Sequence, residues 1–142
     1  MHAVQLCVQM KNQPGPLHQV TGILKLEGVN ILAINVCDSG NGAVLRMVVD
    51  DPELATNALA SRGVTSSQEE VLAVELPDHP GGLHAVLDAL GAAGISVRQL
   101  YRDQSQSGSH SNLILVVDQP EKARPALKQH WIRLFDEEVY ER

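Results

Sequence analysis

The residues best suited to chemistry sit in one short turn, Asn12-Gln13-Pro14-Gly15-Pro16-Leu17-His18, which opens onto a helical pattern. A helix N-terminus offers unpaired N–H groups and the positive end of a dipole, and both suit a carboxylate. Gly15 removes a side chain at the entrance, so a ligand can approach the backbone. The donors would be the amides of Gly15, Leu17 and His18, because Pro16 has no N–H. Asn12 could accept from an ammonium group on the same molecule. One turn thereby offers partners to both ends of a zwitterion. The plainer reading is turn chemistry alone: proline presets φ, glycine accepts φ > 0, and an Asn or Asp side chain bonds nearby backbone N–H groups.

The same turn returns 66 residues later as Asp78-His79-Pro80-Gly81-Gly82-Leu83-His84. Gly82 restores the donor that Pro16 lacks, and Asp78 replaces Asn12. From Pro14 to Gly28 the two copies share seven of 15 positions, where chance gives about one. A repeat at fixed offset decides the architecture. From Pro52 and Pro120 onward the offset becomes 68, so two residues entered at a turn, where insertions are tolerated.

The elements that position the turn follow from patterning. Val4 to Met10 alternates apolar and polar and reads as a half-buried strand. Leu17, Val20, Ile23 and Leu24 form a helical stripe that Gly28 ends. Asn30–Cys37 and Ala43–Val49 read as strands joined by the turn Asp38-Ser39-Gly40-Asn41-Gly42. Pro52 opens a second helix to Ala60, and Val64–Gln68 reads as a last strand. The second copy runs as strand Val71–Leu76, helix Leu83–Gly94, strand Ser96–Arg102, a polar turn Asp103–Asn112 and strand Leu113–Val117. Helix Pro120–Gln129 follows, with Pro125 weakening its middle, and Trp131–Phe135 closes the copy. The fold class is α+β: two tandem ferredoxin-like βαββαβ modules, 1–69 and 70–142, each a four-stranded antiparallel sheet with two helices on one face. The other face carries Gln5, Cys7 and Gln9, or Val71, Ala73 and Glu75. It is bare within a module and too apolar in the second copy to be all solvated.

Composition closes several function classes. The 142 residues carry a formal charge of −6, the wrong sign for holding a polyanion. Aromatics are too scarce to stack bases, so no nucleic acid is expected. No apolar run reaches 18 residues and no secretory pattern opens the chain; a cytoplasmic protein away from membranes is expected. Cys7 and Cys37 read as partly buried thiols rather than a scaffold. The six histidines show no ligand spacing, so neither metal nor cofactor is expected. Ser39, Ser107, Ser109 and Ser111 lack a nucleophile elbow, Arg46 and Arg98 stand apart, and phosphate loops are absent. The run Asp136-Glu137-Glu138 reads as a solvated tail or the start of a short helix. An enzyme is not expected.

With its N/D-x-P-G-x-L turn, helices ending in Gly-Val-Asn or Gly-Ile-Ser, and βαββαβ order, the chain resembles the ACT family of small-molecule-binding regulatory modules, most of all small stand-alone tandem members. The resemblance implies that an amino acid binds where modules meet, the turn of one facing the second strand of a neighbour. It implies contacts from Asn12 and Asn30, with Ile31 beside it, and from Pro14, Gly15, Pro16, Leu17 and His18. In the second copy the equivalents are Asp78, Pro80, Gly81, Gly82, Leu83 and Ser96. Asp78 and Ser96 depart from the Asn pair of serine-binding members, so that site prefers another ligand or none. The expected partners are an amino-acid effector and a second copy in a homodimer. The other reading is a purely structural module that docks an enzyme without a small ligand.

Overall fold

The structure, a computed structural model, describes residues 2–77, 79–103 and 110–135. Asp78, most of the turn after Asp103 and the run Asp136-Glu137-Glu138 lie outside the described residues. In the first module the order is β1 (Val4–Met10), α1 (Pro16–Leu26), β2 (Ile31–Asp38), β3 (Ala43–Val49), α2 (Pro52–Ser61) and β4 (Ser67–Glu70). The second has β5 (Leu72–Pro77), α3 (Gly82–Ala92), β6 (Val97–Arg102), β7 (His110–Val117) and α4 (Pro120–Gln129). By contact the chain separates into two compact units, one of Val4–Glu69 and one running from Glu70 onward together with Ala3.

The first sheet has the strand order β2-β3-β1-β4, with Leu6 opposite Met47 and Val8 opposite Leu45. Alternation along β1 sends Leu6 and Val8 to one face. There they meet Val20, Ile23 and Leu24 of α1 and Ala55 and Leu59 of α2 in one core. The second core repeats this with Leu72 and Val74, Leu113 and Leu115, Val86 and Leu90, and Ala123 and Leu127. Each valine, leucine or isoleucine among these, fully buried, contributes about 1.5–3 kcal/mol. On the face expected to be bare within a module but not all solvated, Gln5, Val71 and Ala73 are buried, Cys7 and Glu75 half-buried, and Gln9 exposed. Gln5 stays satisfied by donating from Nε2 to Glu69 Oε1 at 2.8 Å.

Among the described residues the second sheet has three strands, β5-β7-β6, where four were expected. The stretch Trp131–Phe135 contributes one antiparallel bridge, Leu134 opposite Val74. Trp131 and Ile132 are used to close α4, so pairing starts only at Arg133. The strand β7 begins three residues before the expected Leu113, because Asn112 pairs with Glu75 and its buried backbone bonds Asp103.

The four helices among the described residues end alike. In α1 the Val29 N–H donates to the Leu24 carbonyl at 2.9 Å and Gly28 N–H to Lys25 at 3.1 Å, the 6→1 and 5→2 pair of a left-handed cap. Gly63 and Gly94 serve α2 and α3 at φ 78° and 73°, but α4 uses Trp131 at φ 61°. Helix α4 runs through Pro125 without ending there.

Candidate functional site

Both helices at the repeated turn start from a glycine whose φ demands it: Gly15 at 115° before α1 and Gly81 at 90° before α3. Neither helix has a side-chain cap, so Asn12 does not serve its own helix. The Gln19 N–H donates to the Gly15 carbonyl at 2.8 Å and Ala85 to Gly81 at 3.0 Å, which fixes the first turns. Among the described residues no acceptor meets the N–H groups of Gly15, Leu17 and His18. The second copy differs. Its Gly82 N–H donates to the His79 carbonyl at 3.2 Å, so the donor that sequence reasoning counted as restored is held within the turn, and Gly82 is buried.

Asn12, Pro14, Gly15, Leu17, His18, Pro80, Gly81 and Leu83 are exposed, and Pro16 is half-buried. Leu17 was expected on the core stripe. Instead it is 38% exposed and its repeat partner Leu83 37%, so each turn presents a leucine outward. Asn30 and Ser96 are exposed as well, while Ile31 is half-buried and packs against the first core. Asn12 and Asn30 flank opposite ends of the 11-residue α1, which spans about 16 Å. One module therefore does not bring them together.

Two residues that sequence reasoning missed hold the second of these positions. Asn30 N–H donates to Asp50 Oδ1 at 3.0 Å and Asp50 N–H returns to the Asn30 carbonyl at 3.0 Å. The second copy makes the same clamp, Ser96 N–H to Asp118 Oδ1 at 3.0 Å and Asp118 N–H to Ser96 at 3.1 Å. The signal was present: Asp50 and Asp118 each stand two residues before the repeated Pro52 and Pro120.

A groove of about 560 Å³ opens in the first module between β1, the start of α1 and the segment from Gly63 to Ser67. Of the expected site residues only Pro16 lines it. Val8, Met10, Val20 and Val64 form apolar walls, and Gln9, Lys11, Gln19, Thr65, Ser66 and Ser67 bring polar atoms. The groove was hidden because Val64–Ser66 reads as strand, whereas β4 starts only at Ser67. Cys7 lies at its end. Burial pushes the Cys7 thiol above its usual value and Glu69 adds to this, against Arg46 and a hydrogen bond from Ser67. That thiol is protonated and unreactive at neutral pH. Cys37, expected half-buried, is exposed. Among the described residues no group of three His, Cys, Asp or Glu side chains could hold a metal, and no helix is long and apolar enough to cross a membrane.

A doubled turn on a doubled βαββαβ frame has a counterpart among known families: residues 1–141 match the family model for an ACT domain pair. The chain belongs to that family. This ACT domain pair is similar over 100% of its length to protein BT0572 from Bacteroides thetaiotaomicron, covering 98% of it at 26% identity with a TM-score of 0.92. Two further likenesses show the fold alone. The regulatory subunit of aspartate kinase from Thermus thermophilus is 18% identical, with 92% of this chain and 93% of that one covered and a TM-score of 0.65. The corresponding subunit from Thermus flavus is 18% identical, with 92% and 94% covered and a TM-score of 0.59. No protein with a curated description matches.

Proposed function

We propose that this ACT domain pair is a non-catalytic regulatory protein whose two modules, 1–69 and 70–142, bind a free amino acid where one module's turn meets the second strand of another. The observation that carries the reading is the set of unaccepted amides at Gly15, Leu17 and His18, placed on a helix N-terminus behind a glycine with φ 115°. The carboxylate would sit on the amides of Gly15 and Leu17, and the ammonium near Asn12. Because α1 separates Asn12 from Asn30, a ligand touching both needs two modules. Binding then biases how the modules pack, and only differential affinity for two packings transmits a signal. Exposed Leu17 and Leu83 supply apolar contact for such a neighbour.

The first turn is the stronger site. In the second, Gly82 N–H is already engaged and Ser96 stands where Asn30 does in the first. The homodimer, like the cytoplasmic location, belongs to this proposal. Mass spectrometry of small molecules released from freshly purified, denatured protein tests it, and an amino acid at up to one per chain is the expected result. Release of no amino acid, together with no melting shift when amino acids are added back, would leave the structural docking module as the reading.

A further inference from the structure

The two modules are copies, so a difference between them at one place works as an internal control. In the second module the segment after α4 is zipped onto β5. Glu75 N–H donates to the Arg133 carbonyl at 2.9 Å, Phe135 N–H donates to Ala73 at 2.7 Å, and Leu134 is bridged to Val74 and packs on the core. The same positions in the first module are Gln9, Thr65, Ser67, Cys7, Ser66 and Val8. There Thr65 does not accept from Gln9 N–H, and the 560 Å³ groove opens between the two segments. The larger side chains Arg133, Leu134 and Phe135 become Thr65, Ser66 and Ser67 across that gap.

β1 is an inner strand, but β4 starts only at Ser67, so the Gln9 amide lies beyond its reach beside the hydroxyls of Thr65, Ser66 and Ser67, where a donor needs an acceptor from water or a ligand. Among the described residues Lys11 is the one charged residue lining the groove, and no carboxylate lines it. Its walls at Val8, Met10, Val20 and Val64 are apolar, and its volume lies within the range of small-ligand pockets. We infer that the first module holds a second, separate site for a small organic carboxylate with an apolar body, bound between β1 and the Gly63–Ser67 segment. The acid group pairs with Lys11 and the Gln9 amide, and the hydrocarbon lies on the half-buried Met10 and Val64. The second module has filled the same space with its own chain, so the stoichiometry is one per chain. This site uses neither the turn amides nor an ammonium group, so it stands independently of the amino-acid reading.

Isovalerate, a branched carboxylate without an ammonium, is the probe. Titrated to tens of millimolar into the full chain and followed by ¹⁵N amide NMR, it should shift Gln9, Gln19, Thr65 and Ser66. It should leave their counterparts Glu75, Ala85, Arg133 and Leu134 still. Lys11→Gln should weaken binding about tenfold. Ser66→Leu, which copies Leu134, should abolish the shifts while the remaining spectrum stays native. Shifts confined to Gly15, Leu17 and His18 would assign the carboxylate to the turn and overturn the groove site. No groove shifts in the unaltered chain, equal shifts in both modules, or undiminished binding by folded Lys11→Gln would overturn it too.

Discussion

Trp131 keeps a left-handed backbone at φ 61° while its side chain is 95% exposed, so its packing does not offset the strain. Gly63 takes the same position at the end of α2 without strain. Trp131→Gly should therefore stabilise the chain by about 1 kcal/mol, read from the urea midpoint; a loss of stability would show that the indole makes a contact worth more. The thiols give a second prediction at this scale. An alkylating reagent at pH 8 should label exposed Cys37 well before Cys7, and faster labelling of Cys7 would contradict the assigned burial. The Cys7 pKa is raised in the folded chain, mainly by desolvation. Its contribution to stability is full below the ordinary thiol value and lost as pH climbs through the folded value. Urea midpoints between pH 8 and 10 should fall less for Cys7→Ala than for the parent.

At the scale of elements, the clamps from Asp50 and Asp118 set where β2 and β6 begin. Asp50→Ala leaves the Asn30 N–H without its carboxylate and should cost about 1 kcal/mol; an unchanged urea midpoint would make the clamp incidental. Much of this level was legible beforehand. Strands β1 and β3 and helix α4 run over the residues expected from them, because alternation in β1, the Asp38–Gly42 turn before β3 and Pro120 at the head of α4 leave little choice of boundary. β4 was misplaced because Val64 carries the same apolar signal whether it extends a strand or, as here, caps α2 and packs on the core. That error concealed the groove, since where β4 starts along β1 is a tertiary fact with no local pattern. The turn was legible as a glycine-led helix start, but Leu17 was not: helical spacing cannot tell a core position from one left outward beside a turn. Gly82 N–H was misjudged because its acceptor, the His79 carbonyl, depends on the path of the turn.

At the scale of the whole molecule, the proposed function requires a ligand that selects among arrangements of ACT modules. Gly15→Val is the sharpest perturbation, because valine disfavours φ 115° strongly, although a Cβ there meets nothing within 4 Å. The variant should stay folded at a cost of about 1–2 kcal/mol and lose its ligand response; an unchanged response would place the amino acid elsewhere. Sensing of a free amino acid requires measurable binding. Isothermal calorimetry of ligand-stripped protein against each common amino acid tests it most directly. Saturable heat is expected with at least one of them, together with a melting temperature that rises with its concentration. No heat and no melting shift with any of them would contradict it.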